Sequence, residues 1–173
     1  MVAVMQPCDC TDERNRKAFP MSQQPAAVID SENYTITRTI HIKAGPDRVW
    51  AALTRSDLIT EWFGNKASLP DLRVGGEGTF GFDGYGEVPL RIDEYDEPVV
   101  FAYTWGTPGH PLAPENSTQV RYTLVPDGDA TILSVVESGF GLLSRDPLEA
   151  MSSNRQGWTD ELDELVAYLE GSS

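Results

Sequence analysis

Residues 146–170, DPLEAMSSNRQGWTDELDELVAYLE, are the stretch on which the fold turns, because no other segment is long and regular enough to serve as a core element. Asp146 supplies a capping side chain, Pro147 occupies the first helical position where its missing N–H is harmless, and Glu149 can complete a capping box. Leu148, Met151, Arg155, Trp158, Leu162, Leu165 and Leu169 then recur at steps of three and four, which places them on one face of a helix. Gly171 gives the stop. Arg155 within the apolar row and Gly157 in mid-helix divide this helix into a firmly packed second half and a first half with room and a charge; the glycine costs about 1 kcal/mol relative to alanine.

Working outward, the totals are those of one domain with a tail. The chain has 173 residues, 40% of them hydrophobic, with four Trp, six Tyr and six Phe to fill a core. Acidic residues number 27 against 13 basic, a formal charge of -14, which repels phosphate backbones and anionic membrane surfaces; neither nucleic acid nor a membrane is an expected partner. The acidity serves solubility or a docking surface for a basic partner. Cys8 and Cys10 form one Cys-x-Cys pair with no second pair, which describes neither a four-ligand zinc site nor a disulfide framework, so a reducing, cytoplasmic setting is expected. No run approaches the roughly 18 apolar residues of a membrane helix.

Residues 1–32 are polar, broken by Pro7, Pro20 and Pro25, and without an apolar period; a disordered tail is expected there, with Met21 a second candidate start. The globular domain is expected over 33–171. Tyr34 to Ile42 alternates as a half-buried strand, and two short helices follow, one carrying Val49, Trp50 and Leu53, the other spanning Asp57 to Phe63. Strands and turns then dominate: Thr79 to Phe82, Val88 to Ile92, and Val99 to Trp105 with Phe101, Tyr103 and Trp105 on its bulky face. The last two, Gln119 to Val125 and Ala130 to Glu137, join through Pro126-Asp127-Gly128-Asp129, a hairpin signal. This order predicts an α+β helix-grip fold: a curved antiparallel sheet of six to seven strands closing on a long C-terminal helix, with two short helices after the first strand. A cavity is expected beside the helix's first half.

Ala44-Gly45-Pro46-Asp47-Arg48-Val49-Trp50-Ala51-Ala52-Leu53-Thr54, then Trp62-Phe63-Gly64, Leu72-Arg73-Val74-Gly75-Gly76 and Gly157-Trp158 with Leu162, Leu165 and Leu169 together resemble the SRPBCC superfamily. Within it they are similar to the branch related to the C-terminal domain of the activator of heat-shock protein 90 ATPase. The resemblance runs from about Tyr34 to Glu170. It implies an apolar cavity between sheet and helix, and no single activity.

No nucleophile elbow, Walker loop or His-Glu-x-x-His occurs, His41 and His110 lie far apart, and neither metal nor cofactor is expected. The candidate ligand-binding residues are Trp62, Phe63, Phe80, Phe82, Phe101, Tyr103, Trp105, Tyr122, Glu137, Met151, Arg155 and Trp158. For each ring the alternative is plain core packing. Alternation along the last strand leaves open whether Leu133, Val135 and Glu137 or Ile132, Ser134 and Val136 point inward; the family pattern favours the first set. Glu137 and Arg155 are then expected to meet, as a structural ion pair or as a site orienting a polar ligand group. The reading is binding of a small hydrophobic or aromatic ligand. Its alternatives are a cyclase/dehydratase-like enzyme, in which Glu137, a tyrosine or His110 moves protons, and a co-chaperone or interaction module. The protein partners admitted are a second copy of the chain and a chaperone.

Overall fold

Residues 24–171 are described by the computed structural model of the protein; Cys8, Cys10 and Met21 lie outside them. Alternating side chains build most of the architecture. Strand β2 (Thr35–Ile42) buries Ile36, Arg38, Ile40 and Ile42 and exposes the residues between them. Helices α1 (Pro46–Thr54) and α2 (Ser56–Ile59) follow, and the chain then runs through β3 (Lys66–Ser68), β4 (Glu77–Phe82), β5 (Gly86–Asp96), β6 (Val100–Trp105), β7 (Thr118–Asp127) and β8 (Ala130–Ser138) to the long helix α3 (Pro147–Gly171). Single 3-10 turns at Pro114–Asn116 and Phe140–Leu142 flank β7 and β8. With β1 (Val28–Asp30) the strands form one antiparallel sheet in the order β1-β2-β8-β7-β6-β5-β4-β3. This is the expected helix-grip arrangement, with eight strands in place of six or seven; β1 and β3, three residues each, are too short to show an alternation.

Strand β1 lies inside the stretch read as a disordered tail, so the ordered domain reaches back beyond residue 33. Its approach is fixed by polar contacts rather than by an apolar pattern. Gln24 exchanges hydrogen bonds with the His41 backbone. The Ala27 N–H donates to Thr159 Oγ1 at 3.1 Å, and Arg155 Nε donates to the Ala27 carbonyl at 2.7 Å.

Arg38 is the main tie between sheet and helix. Its side chain is 1% exposed, and its donors reach the Pro25 carbonyl, the Trp158 and Thr159 carbonyls and Asp163 Oδ1, the last at 2.5 Å. A buried guanidinium is tolerable when its fork is filled in this way.

One irregularity interrupts the ladder. Strand β5 pairs with β6 through Ile92↔Tyr103 and then Glu94↔Ala102, leaving Asp93 as an extra residue in a β-bulge. Before the bulge Val88, Leu90 and Ile92 face the core; after it Tyr95 turns inward, with its ring 5.4 Å from Trp50. Asp93 serves the outer face, accepting from Arg91, Thr104 and Gln119.

Candidate functional site

Helix α3 begins as its sequence requires: Asp146 Oδ1 accepts from the Leu148 N–H at 2.9 Å. Its buried residues are Ala150, Met151, Asn154, Gly157, Trp158, Leu162, Leu165 and Leu169. Leu148, by contrast, is 52% exposed. The second half therefore follows the expected stripe, and in the first half the buried face is rotated toward Ala150 and Asn154.

That rotation decides the polar centre of the interior. On β8 the inward set is Leu133, Val135 and Glu137, and Glu137 is 0% exposed. It does not meet Arg155, which is exposed and bound to the Ala27 carbonyl. The expected ion pair is replaced by a carboxylate held entirely by neutral donors. Trp158 Nε1 donates to Oε2 at 2.7 Å, Thr118 Oγ1 to Oε1 at 2.6 Å, Trp105 Nε1 to Oε1 at 3.1 Å, and Asn154 Nδ2 to both oxygens at 3.0 and 3.2 Å. Burial pushes the Glu137 carboxyl above the ordinary value, and these donors pull it back toward the ionised form. Asn154 is itself 0% exposed, and its Oδ1 has no hydrogen-bond partner.

The rings gather around this group. Phe63 stacks on Trp158 at 6.0 Å with 13° between planes, and its edges meet Phe80 and Phe82, each at 5.3 Å. Trp105 lies 6.2 Å from Trp158, and Tyr122 packs edge-on to Trp158 and parallel to Phe101. The Tyr103 and Tyr122 hydroxyls are 3.4 Å apart, and burial raises the pKa of both phenols. Trp62 touches Phe63 but is turned to α1, where its Nε1 donates to the Ala52 carbonyl. Met151 is buried. Among the twelve residues singled out in the sequence, then, eight rings form one connected cluster, Glu137 sits at its centre, Trp62 and Met151 support it, and Arg155 lies outside. Thr118 and Asn154 join it with no signal in the sequence pattern.

The cluster is closed. Phe63, Phe80, Phe101, Tyr103, Trp105, Tyr122 and Trp158 are each at most 2% exposed, so the rings beside the first half of α3 are shielded from solvent. Two clefts of about 330 and 590 Å³ open instead on the outer side of the sheet, beneath the loop after β6, and both are lined by Arg91 and Leu112. None of the twelve residues lines either.

At the C-terminal side of Trp158, Glu161 is half-buried with Asp160 and Glu164 as neighbours. Burial first, then those two charges, push its carboxyl up to about 8. Among the described residues no group of three His, Cys, Asp or Glu side chains converges in a manner suited to a metal, and no helix is long and apolar enough to cross a membrane.

A curved antiparallel sheet gripping one long helix over a closed aromatic interior with a buried carboxyl defines a helix-grip domain of the SRPBCC type. The model of the Activator of Hsp90 ATPase homolog 1-like protein family matches residues 43–170, more than half of the chain, and the chain belongs to that family. Solved structures with the same fold include protein MLL2253 from Mesorhizobium loti, at 24% identity and a TM-score of 0.69, covering 80% of this chain and 98% of that one. The Aha1 dimer from Colwellia psychrerythraea is 23% identical with a TM-score of 0.66, covering 80% and 98%. CalU16 from Micromonospora echinospora is 24% identical with a TM-score of 0.61, covering 80% and 76%. No curated protein matches the chain.

Proposed function

We propose that the protein binds a small hydrophobic or aromatic molecule within the ring cluster, with Glu137 as the polar point that fixes its orientation. The observation carrying this reading is the carboxyl itself: it is fully buried, its hydrogen bonds among the described residues come from neutral donors, and it is surrounded by aromatic rings. Burying an uncompensated carboxylate costs several kcal/mol, which an apolar residue of similar size would avoid; strongly perturbed carboxyls with few convergent polar groups in an apolar setting are characteristic of ligand sites.

Entry requires rings to part, and the segment after α2 carries Phe63, the ring stacked on Trp158. Residues 60–65 are joined to β4 through the Asn65 N–H to the Gly81 carbonyl at 2.8 Å and Asn65 Oδ1 to the Asp83 N–H. Gly64, at a φ of 65°, brings its backbone so near Gly81 that a Cβ there would lie 2.6 Å from the carbonyl oxygen. Displacing this segment withdraws Phe63 from Trp158 and opens a way to Glu137.

The test is native mass spectrometry of the purified protein combined with titration of tryptophan fluorescence by hydrophobic aromatic probes. A copurified small molecule, or quenching that saturates and is weakened by Phe63→Ala, is expected. Absence of any bound molecule together with no saturable response to any probe would overturn the reading.

A further inference from the structure

One stretch of the surface joins exposed apolar side chains to a cleft. Tyr34 closes the β1–β2 turn in the left-handed region, at a φ of 53°, a backbone conformation unfavourable to a bulky residue. The Asp30 carboxylate holds the turn there: Oδ1 accepts from the Glu32 and Asn33 N–H groups at 3.0 and 3.1 Å, and Oδ2 from Asn33 Nδ2 at 2.7 Å. So placed, the Tyr34 ring lies against Gly141, where a Cβ would come within 3.1 Å of it. The ring is 38% exposed, and Leu142, the residue after Gly141, is 68% exposed. Leu142 in turn lines the cleft of about 330 Å³, with Leu112, Ala113 and Pro114 among its apolar walls. An apolar strip thus runs from the turn into a pocket with room for a large side chain, and such strips on a protein surface mark contacts with partners.

The rim of this strip is acidic. Glu32 stands in the turn of Tyr34, and Glu115 follows Pro114 and is tied to the same corner by the Ser144 N–H on its carbonyl; both are exposed, and neither is in an ion pair among the described residues. The turn carrying Leu142 packs on α3, whose first turn adds Glu149. The nearby cations do not balance these acids: Arg91, in the cleft, already has Asp93 on its Nε and Nη2, and Arg145 has its Nε and Nη2 buried. On a chain of formal charge -14 such a rim selects the occupant. A second copy would bring acid against acid, and an anionic membrane would be repelled in the same way. We propose that this strip is a docking surface for a basic segment of another protein, in which lysines or arginines flank a large apolar side chain that enters the cleft while the flanking cations meet Glu32 and Glu115. None of its residues belongs to the ring cluster, so it stands independently of the binding role proposed above.

The experiment measures the fluorescence anisotropy of three labelled peptides on the full chain, Lys-Lys-Leu-Phe-Lys-Lys, Glu-Glu-Leu-Phe-Glu-Glu and Lys-Lys-Ser-Ser-Lys-Lys, with amide chemical-shift mapping of the first. The basic apolar peptide is expected to bind about tenfold or more tighter than either of the others, with shifts gathered at Tyr34, Leu112 and Leu142. Leu142→Ser, at an exposed position, should weaken it about tenfold. Tyr34→Asn keeps a residue that tolerates the left-handed backbone and should weaken it several-fold. Glu115→Gln should weaken it less and flatten its decline with added salt. Equal binding by the acidic or the serine peptide, shifts elsewhere on the molecule, an affinity untouched by Leu142→Ser, or no binding at all would overturn the proposal. A chain that sediments as a dimer and becomes monomeric on Leu142→Ser would overturn it too, assigning the face to a second copy.

Discussion

Arg38 and Glu137 are two buried charges on neighbouring strands, facing the same helix, and they are treated in opposite ways. In the β2–β8 ladder Arg38 lies opposite Val135 and Ile36 opposite Glu137, so the two side chains project inward from adjacent rows. Arg38 finds a carboxylate and three carbonyls, and its charge is spent on holding α3 and the residue 25–27 segment to the sheet. Glu137 finds indoles, an amide and a hydroxyl, which bond its oxygens but leave its charge unanswered. A charge paired in this way reads as architecture, and one left unpaired at the centre of an aromatic cluster reads as a site.

The comparison can be broken most forcefully at Arg38. Arg38→Met leaves Asp163 and the carbonyls without their donor, and breaking a buried pair costs about 3–5 kcal/mol; a urea midpoint close to wild type would make the tie dispensable. Glu137→Leu comes next. It strands the Trp158 N–H and the Asn154 amide, at about 1–3 kcal/mol for each that finds no new partner, while Trp105 Nε1 keeps Thr118 Oγ1; Glu137→Gln retains an acceptor and should lose far less. Equal losses from both variants would show that shape, not hydrogen bonding, matters there.

The dependence on pH sharpens the contrast further. Burial raises the folded pKa values of Glu137 and Glu161 above that of an ordinary glutamate, the latter to about 8. The native state thus keeps protons that the unfolded chain has already released; their contribution to stability is whole below the unfolded value and is lost as pH rises through the folded ones. Unfolding midpoints should therefore fall from pH 4.5 toward 8, and Glu161→Gln should flatten that fall. A profile rising through this window would contradict it. The smallest effect is expected at Arg155, where Arg155→Leu removes one hydrogen bond to Ala27 on an exposed side chain; about 1 kcal/mol or less of stability and unaltered probe binding are expected from the same titrations.

Much of this was written plainly in the chain. The bulky face of β6, the Asp127-Gly128 hairpin, the Asp146 cap and the Leu162, Leu165 and Leu169 stripe are local signals, each carried by residues whose physics admits one reading. The first half of α3 was not. From Met151, a step of four to Arg155 and a step of three to Asn154 are both helical, and the arginine gave the more regular heptad. Only the tertiary environment, with Ala27 on one side and Glu137 on the other, turns Asn154 inward. Asparagine carries no inward signal of its own. The closed interior was equally hidden, because composition shows that many rings exist and not whether they touch. Strand β1 leaves no mark in the sequence, since its anchors are backbone groups and long-range polar side chains rather than a periodic pattern.

The bulge at Asp93 gives the outer face a carboxylate without disturbing the inner one. With an extra position between Ile92 and Glu94, parity switches once along β5, and Tyr95 arrives on the Trp50 side while Glu94 remains outside, beside Arg121. Deleting this one aspartate would leave Glu94 opposite Ala102 and Tyr95 opposite Phe101 in simple alternation, so its loss would straighten the strand and take the outward acceptor from Arg91, Thr104 and Gln119 while sparing the ring wall.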